Sequence, residues 1–289
     1  MKRHIGPVLA FLAMIAAGTS WSPDVDAADG ISAQIAEAHL VSEVETVRPG
    51  KPFWVALRLR MTDGWHTYWR NPGDSGLATA IAWTLPDGYS AGPIRWPTPE
   101  VFRIGPIANY GYAGEVWLLT EITPSHGPHS GGSAVLRAEA QWLACAEICV
   151  PEQADLELAL PVADGNAPAF DAARIDDFAR ARATLPEQGT GRGVFSADEA
   201  KVQFAFGLPE LATQPLAEVW LFPAEYGVIV HGAPQQFDVN GRDLVLTAIR
   251  DTSDPDLPDT ITGVLVVRQA GGKRAFAVRA LPAETGSIQ

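Results

Sequence analysis

Short stretches in which apolar and polar residues alternate recur along most of the chain, and turns rich in proline and glycine separate them. Residues 53–61 alternate with a period of two, which predicts a strand with one buried face. Similar patterns predict further strands at residues 31–44, 81–86, 94–99, 115–122, 133–143 and 154–160. About eight short strands with intervening turns are typical of an antiparallel β-sandwich.

The pattern changes after residue 162 and returns at residue 194. Between them, Phe170, Phe178 and Leu185 fall near one face of a helix that Pro186 would end, so we expect a linker, residues 163–193, with one short helix. Beyond it, strands are predicted at residues 202–206, 217–222, 227–230, 244–249, 261–267 and 275–278. The fold class is therefore all-β, with a sandwich domain at residues 28–162 and a second, smaller one at residues 194–289.

The first 27 residues carry the pattern of a secretory signal peptide. Lys2 and Arg3 make the start basic, residues 8–17 are apolar but too short to span a bilayer, and Val25 and Ala27 supply small residues before a cleavage point. Cleavage near residues 16–18 and an uncleaved anchor are the alternatives. We expect an exported protein in the periplasm, where disulfides persist.

The composition excludes some classes of function. The formal net charge is −13 in 289 residues, which disfavours binding to nucleic acid because phosphate contacts need clustered lysine and arginine. No phosphate-binding loop or Ser-His-Asp set is apparent, and we expect no cofactor and no metal.

The chain has only two cysteines, Cys145 and Cys149. Four extended residues span about 13 Å, whereas the Cα atoms of a disulfide lie within roughly 7 Å. If the thiols pair, Ala146, Glu147 and Ile148 must form a turn, and the apolar residues on both sides suggest two strands joined by a tight reversal.

Two interpretations of this pair stay open. A structural bridge that closes so short a loop contributes only about 2 kcal/mol, and a chain of this length does not need it; this favours a redox-active dithiol over an inert staple. Metal ligation is disfavoured because no histidine lies beside the pair at ligand spacing. No Lys or Arg is close in sequence and Glu147 is, so we expect no strongly acidic thiol.

Other residues that could carry chemistry have simpler explanations. His66 lies among aromatic residues and is expected to pack rather than act as a base. Residues 71–74 are predicted to form a turn, and residues 107–114 a loop rich in glycine and tyrosine. His126 and His129 lie in a Gly/Ser-rich loop, for which solvation is favoured over a copper or zinc site.

Several motifs together resemble the periplasmic N-terminal domain of the DsbD and ScsB membrane thiol–disulfide reductases. The resemblance covers roughly residues 30–162, and residues 194–282 look more weakly like the second β domain of the ScsB type. The motifs that carry it are residues 64–76 (GWHTYWRNPGDSG), 94–97 (IRWP), 110–112 (YGY) and 145–152 (CAEICVPE). The short spacing of the cysteines is closer to the ScsB type than to the enterobacterial DsbD domain.

The resemblance implies an immunoglobulin-like fold and a protein-disulfide reductase-like domain. It implies that Cys145 and Cys149 are catalytic, with Cys149 as the attacking thiol, and that an aromatic loop covers them; Asn109, Tyr110 and Tyr112 are candidates for that cap or for partner docking. The partners would be a membrane thiol–disulfide reductase or thioredoxin-like donor and a periplasmic client, in processes such as cytochrome c biogenesis or copper tolerance. Because the sequence ends at Gln289 without a membrane or thioredoxin domain, we expect the donor to be a separate protein.

The alternative from a different class is a non-catalytic exported binding or scaffold module. Tandem immunoglobulin-like domains often dock other exported proteins, and in such a module the Cys145–Cys149 bridge would be only structural.

Overall fold

The computed structural model describes residues 35–125, 132–162, 170–208, 215–241, 243–253 and 256–284. Within this part of the chain there are seventeen strands and one helix. The predicted signal peptide and the loop with His126 and His129 lie outside the described residues. From residue 35 onward the described residues form one compact unit.

Ten strands make two sheets in the N-terminal part. In chain order they are β1 (Ala36–Ser42), β2 (Phe53–Met61), β3 (His66–Gly73), β4 (Ala80–Thr84), β5 (Ser90–Ala91), β6 (Glu100–Ile104), β7 (Ile107–Ala113), β8 (Glu115–Thr123), β9 (Ser133–Cys145) and β10 (Cys149–Pro161). One sheet has the order β1-β2-β8-β5, and the other has the order β10-β9-β3-β7-β6 with β4 also paired to β9.

The two sheets share an apolar core built from alternating positions. In β9 every second residue from Ala134 to Trp142 is buried, and Leu57 of β2 and Leu118 of β8 belong to the same cluster as Trp142. A strand presents successive side chains to opposite faces, so one face of each sheet is apolar and the two faces pack together. The predicted all-β, immunoglobulin-like fold is confirmed.

Three segments of the N-terminal part differ from the local expectation. Residues 94–99, predicted as a strand, contribute only one bridge, Arg95 to Leu119, since Pro97 and Pro99 cannot donate to a ladder. The predicted turn at residues 71–74 is instead mostly the end of β3, where the register shifts between Tyr68 and Gly73. Gly73 has φ of 85°, and a Cβ there would lie 2.4 Å from the Ala108 carbonyl oxygen. The glycine is therefore needed for the irregularity in the strand and not for a turn. The predicted loop at residues 107–114 is strand β7, because pairing with β3 and β6 buries it.

Seven strands form the C-terminal sheet. They are β11 (Glu187–Ala197), β12 (Lys201–Gly207), β13 (Glu218–Pro223), β14 (Gln236–Asn240), β15 (Asp243–Ile249), β16 (Ile261–Gln269) and β17 (Gly272–Pro282), in the order β13-β16-β17-β11-β12-β15-β14. β11 and β17 pair in parallel. Parallel strands need a long connection, and the many residues between these two strands provide one. Residues 227–230, predicted as a strand, contribute one bridge, Ile229 to Arg250.

The helix α1 (Ile175–Ala183) lies between the two parts in sequence. Phe178 and Ala181 are buried against the four-stranded sheet in a cluster with Ala56 and Leu119, whereas Phe170 is 53% exposed and lies before the helix. Among the described residues, no helix has the length and apolar character needed to cross a membrane. The domain boundaries stay a prediction.

Candidate functional site

The two cysteines face each other at the end of the β9–β10 hairpin. Cys145 is the last residue of β9 and pairs with Cys149, the first residue of β10. The three residues between them reverse the chain, and the Ala146 amide donates to the Ile148 carbonyl at 3.0 Å. The Cα atoms are 4.1 Å apart and the sulfurs are joined in a disulfide with an S–S distance of 2.01 Å.

The hairpin makes the two sulfur-bearing residues unequal. Cys145 has no exposed surface, although it lies on the face of β9 opposite the buried Trp142 and Ala144. Cys149 starts the edge strand β10 and is exposed, and the neighbouring Ile148 is 66% exposed. An approaching group can therefore reach Cys149, whereas Cys145 is closed off in this conformation.

Tyr68 of β3 provides the polar contact to the pair. Its hydroxyl lies 3.7 Å from the Cys149 Sγ, within hydrogen-bonding range for sulfur. The ring is fully buried and packs where Gly76 has no side chain, because a Cβ at Gly76 would lie 2.2 Å from the ring. Burial raises the pKa of Tyr68 above 10.0, and the nearby Ser75 hydroxyl lowers this pKa by a smaller amount, so the Tyr68 hydroxyl stays protonated at neutral pH.

His66 lies beside the other cysteine. It pairs with Cys145 across β3 and β9, its ring stacks on Phe102 at 4.6 Å, and it meets the Tyr68 ring edge-on at 5.3 Å. Burial lowers the pKa of His66 below 6.5, so the ring is neutral at pH 7. His66 therefore packs among aromatic rings, as expected, and supplies no positive charge that would stabilise a thiolate.

The sequence did not single out Phe102 and Tyr68 for this site. Tyr68 belonged to an aromatic segment whose expected role was packing, and Phe102 lies on β6, which the sequence did not predict as a strand. The only signal was the density of aromatic residues around His66.

The structure places Asn109, Tyr110 and Tyr112 inside the protein on β7. Asn109 is 1% exposed, and its Oδ1 accepts hydrogen bonds from the Ser75 amide and hydroxyl at 3.2 and 3.0 Å. The Tyr110 hydroxyl donates to the His231 carbonyl at 3.3 Å, and the Tyr112 hydroxyl donates to the Pro97 carbonyl at 2.8 Å. These contacts connect the three residues to the protein interior rather than across the sulfurs.

Glu152 fastens the hairpin to the other sheet. Its carboxylate accepts hydrogen bonds from the amides of Ile35 and Ala36 at 2.7 and 3.0 Å and from the Trp142 indole at 3.0 Å. These bonds join β10 to the start of β1 three residues after Cys149, and so limit the movement of the hairpin end. In the described ranges, no group of three or more His, Cys, Asp or Glu side chains is arranged to hold a metal ion.

Comparison with known families decides what this hairpin belongs to. Residues 34–161 match the sequence profile of the family described as thiol:disulfide interchange protein DsbD, N-terminal. This region is a DsbD N-terminal domain. Its two cysteines are the pair at the hairpin end, so the DsbD N-terminal domain of this chain is a thiol–disulfide interchange domain.

Solved structures extend the similarity of fold beyond the DsbD N-terminal domain. The N-terminal periplasmic domain of ScsB from Proteus mirabilis is 19% identical, with a TM-score of 0.58, and the match covers 88% of this chain and 96% of that one. A protein of unknown function from Porphyromonas gingivalis W83 is 12% identical, with coverage of 86% and 99%, but its TM-score of 0.27 is too low to inform the fold. No curated protein matches the chain.

Proposed function

We propose that this protein is a periplasmic thiol–disulfide exchange protein that passes reducing equivalents from a membrane donor to client disulfides through Cys145 and Cys149. The observation that carries the proposal is a disulfide with one exposed and one buried cysteine, at the end of a hairpin in a DsbD N-terminal domain. Exchange requires a sulfur that a partner can reach, and Cys149 is that sulfur.

The protein is reduced in two steps. A thiolate of the donor attacks the Cys149 Sγ, the Cys145–Cys149 bond breaks, and Cys145 leaves as a thiolate that takes up a proton. The donor's second thiolate then attacks the donor sulfur of the mixed disulfide and releases Cys149. Two electrons and two protons reach the cysteine pair, and the donor's dithiol becomes a disulfide.

Client reduction runs through the same sulfur. The Cys149 thiolate attacks a client disulfide, and one client cysteine leaves as a thiolate. Cys145 then attacks the Cys149 Sγ, which re-forms the internal disulfide and releases the second client thiol. The Tyr68 hydroxyl faces the sulfur that enters both mixed disulfides.

A partner would meet an apolar surface around Cys149. Ile148 is 66% exposed and Leu77 is 68% exposed, and a depression of about 350 Å³ beside the hairpin is lined by Leu77, Leu143 and Pro151. Exposed apolar side chains grouped around a reactive residue are typical of docking sites.

The proposal gives a supporting role to three buried residues of β7: Asn109, Tyr110 and Tyr112. Asn109 accepts hydrogen bonds from the amide and hydroxyl of Ser75, and Ser75 lies near Tyr68, whose hydroxyl is 3.7 Å from the Cys149 Sγ. The predicted signal peptide and the periplasmic origin of the ScsB domain support a periplasmic location, and cytochrome c biogenesis or copper tolerance are processes in which such clients could be sought.

A redox titration tests the proposal against a structural bridge. The protein is equilibrated in glutathione buffers and its free thiols are counted; a reduction potential above about −300 mV supports exchange, and a lower value indicates an inert disulfide. The Cys145→Ser variant should accumulate a stable mixed disulfide with glutathione at Cys149, and Cys149→Ser should form much less because Cys145 is buried. Equal adducts in the two variants would count against the assigned order of attack.

A further inference from the structure

The C-terminal sheet contacts the strands that flank the disulfide through residues 223–232, here called the junction segment. Asn71, on β3, has no exposed surface. Its Nδ2 donates to the carbonyls of Pro223 and Glu225 at 2.9 and 3.1 Å, and its Oδ1 accepts from the Gly73 amide at 3.0 Å. The buried Asn71 amide thus joins the junction segment to β3, and both its nitrogen and its oxygen have hydrogen-bond partners.

Three further contacts reach the junction segment, from β6, from β7 and from the residue that follows β3. The Arg103 Nη1 donates to the Gly232 carbonyl at 2.9 Å, the Tyr110 hydroxyl donates to the His231 carbonyl, and the Asp74 carboxylate lies 3.0 Å from the His231 Nδ1. The Phe222 ring packs edge-on against Tyr110 at 4.8 Å. The junction is therefore held by specific polar contacts, of which those of Asn71 to Pro223 and of Tyr110 to His231 are buried and that of Arg103 is exposed.

The residues that make these contacts are close in sequence to those beside the sulfurs. Tyr68, whose hydroxyl reaches Cys149, precedes Asn71 by three residues on β3. Phe102, which stacks on His66, is followed directly by Arg103 on β6. A shift of β3 or β6 at the junction would therefore move side chains at the disulfide.

We propose that Asn71 is a positioning residue for the disulfide. By binding the junction segment it holds Tyr68 against the Cys149 Sγ, and holds His66, with the Phe102 ring stacked on it, beside Cys145; this limits the access of reductants. The C-terminal sheet thereby controls the reactivity of a site to which it contributes no sulfur. This inference rests on the proposed exchange function.

The test is the Asn71→Asp variant of the full chain. Aspartate has nearly the same shape and still accepts from the Gly73 amide, but it places an oxygen opposite the two carbonyls that the amide now binds. We expect dithiothreitol to reduce the disulfide roughly threefold to tenfold faster than in the wild type, and alkylation of Cys145 in the reduced protein to accelerate as well. Arg103→Gln, on the exposed hairpin, should change both rates in the same direction and keeps the test available if Asn71→Asp does not fold.

The matched control separates positioning from lost stability. Ile122 is fully buried in the N-terminal part, in an apolar cluster that includes no residue of the junction segment and none of the residues beside the sulfurs. Ile122→Ala should lower the melting temperature but leave the reduction rate within about twofold of the wild type, below the effects expected for coupled sites.

The outcomes distinguish the two proposals. A wild-type disulfide that does not exchange with thiols at all overturns the proposed function, and this inference falls with it. If the wild-type disulfide exchanges normally, either of two results overturns only the positioning role: Asn71→Asp and Arg103→Gln react at the wild-type rates, or Ile122→Ala is accelerated as much as they are.

Discussion

Replacing Tyr68 with phenylalanine should make the reduction potential of the disulfide more negative, an equilibrium effect distinct from the rate at which reductants reach the sulfurs. The change removes the hydroxyl that lies 3.7 Å from the Cys149 Sγ and leaves the buried ring in place. A hydroxyl donates more strongly to a thiol or thiolate sulfur than to a disulfide sulfur, so its removal destabilises the reduced form more than the oxidised form. The reduction potential should therefore become more negative.

The size of the shift follows from the strength of one hydrogen bond. A net contribution of about 0.5–1.5 kcal/mol is typical of an intramolecular hydrogen bond. For a two-electron couple, about 1.4 kcal/mol corresponds to 30 mV, which predicts a shift of roughly 10–30 mV toward more negative potential. Burial raises the pKa of Tyr68, so the hydroxyl remains a donor over the neutral range of the assay.

The assay is equilibrium with glutathione or dithiothreitol buffers, with thiols counted after acid quenching. Tyr112→Phe is the matched control, because its hydroxyl is also buried and hydrogen-bonded, at 2.8 Å to the Pro97 carbonyl, but has no described contact with a sulfur. An unchanged potential in Tyr68→Phe, or an equal shift in Tyr112→Phe, would show that the hydroxyl does not act on Cys149.

Two further predictions concern stability. Burial lowers the pKa of His66 below 6.5, so the unfolded chain binds more protons near and below that pH than the folded chain does. The melting temperature should therefore fall as the pH drops from about 7.5 to 5.5, and should fall less steeply in His66→Phe. If melting temperature depends on pH equally in the two proteins, His66 is excluded as the cause. Glu152→Gln replaces one acceptor oxygen with a donor that faces the Ile35 and Ala36 amides and the Trp142 indole. The free energy of unfolding, measured by urea titration, should fall by about 1.5–3 kcal/mol. The neighbouring Gln153→Glu control should change it little, and an unchanged free energy of unfolding in Glu152→Gln would contradict the role of the carboxylate.

Much of the strand content and the reversal at the cysteines could be predicted because both depend on local features. β2 and β9 bury alternating residues, and that period is written directly in the order of apolar and polar side chains. The four-residue spacing of Cys145 and Cys149 requires a tight turn for any disulfide. Two local predictions were wrong, the turn at residues 71–74 and the loop at residues 107–114. Pairing and burial in the sheet outweigh the preference of Gly, Pro and Asn for turns there.

The sequence by itself determined an all-β chain with two cysteines brought together by a sharp hairpin, since strand period and loop closure act over a few residues. Only the tertiary structure decided that Cys149 is exposed and Cys145 buried, that Tyr68, His66 and Phe102 surround them, and that Asn71 joins β3 to the C-terminal sheet. These contacts join residues that are far apart in sequence: His66 and Phe102 by 36 positions, Tyr68 and Cys149 by 81, and Asn71 and Pro223 by 152. Such contacts depend on strand order and register, which are set by the packing of whole sheets and not by any local pattern.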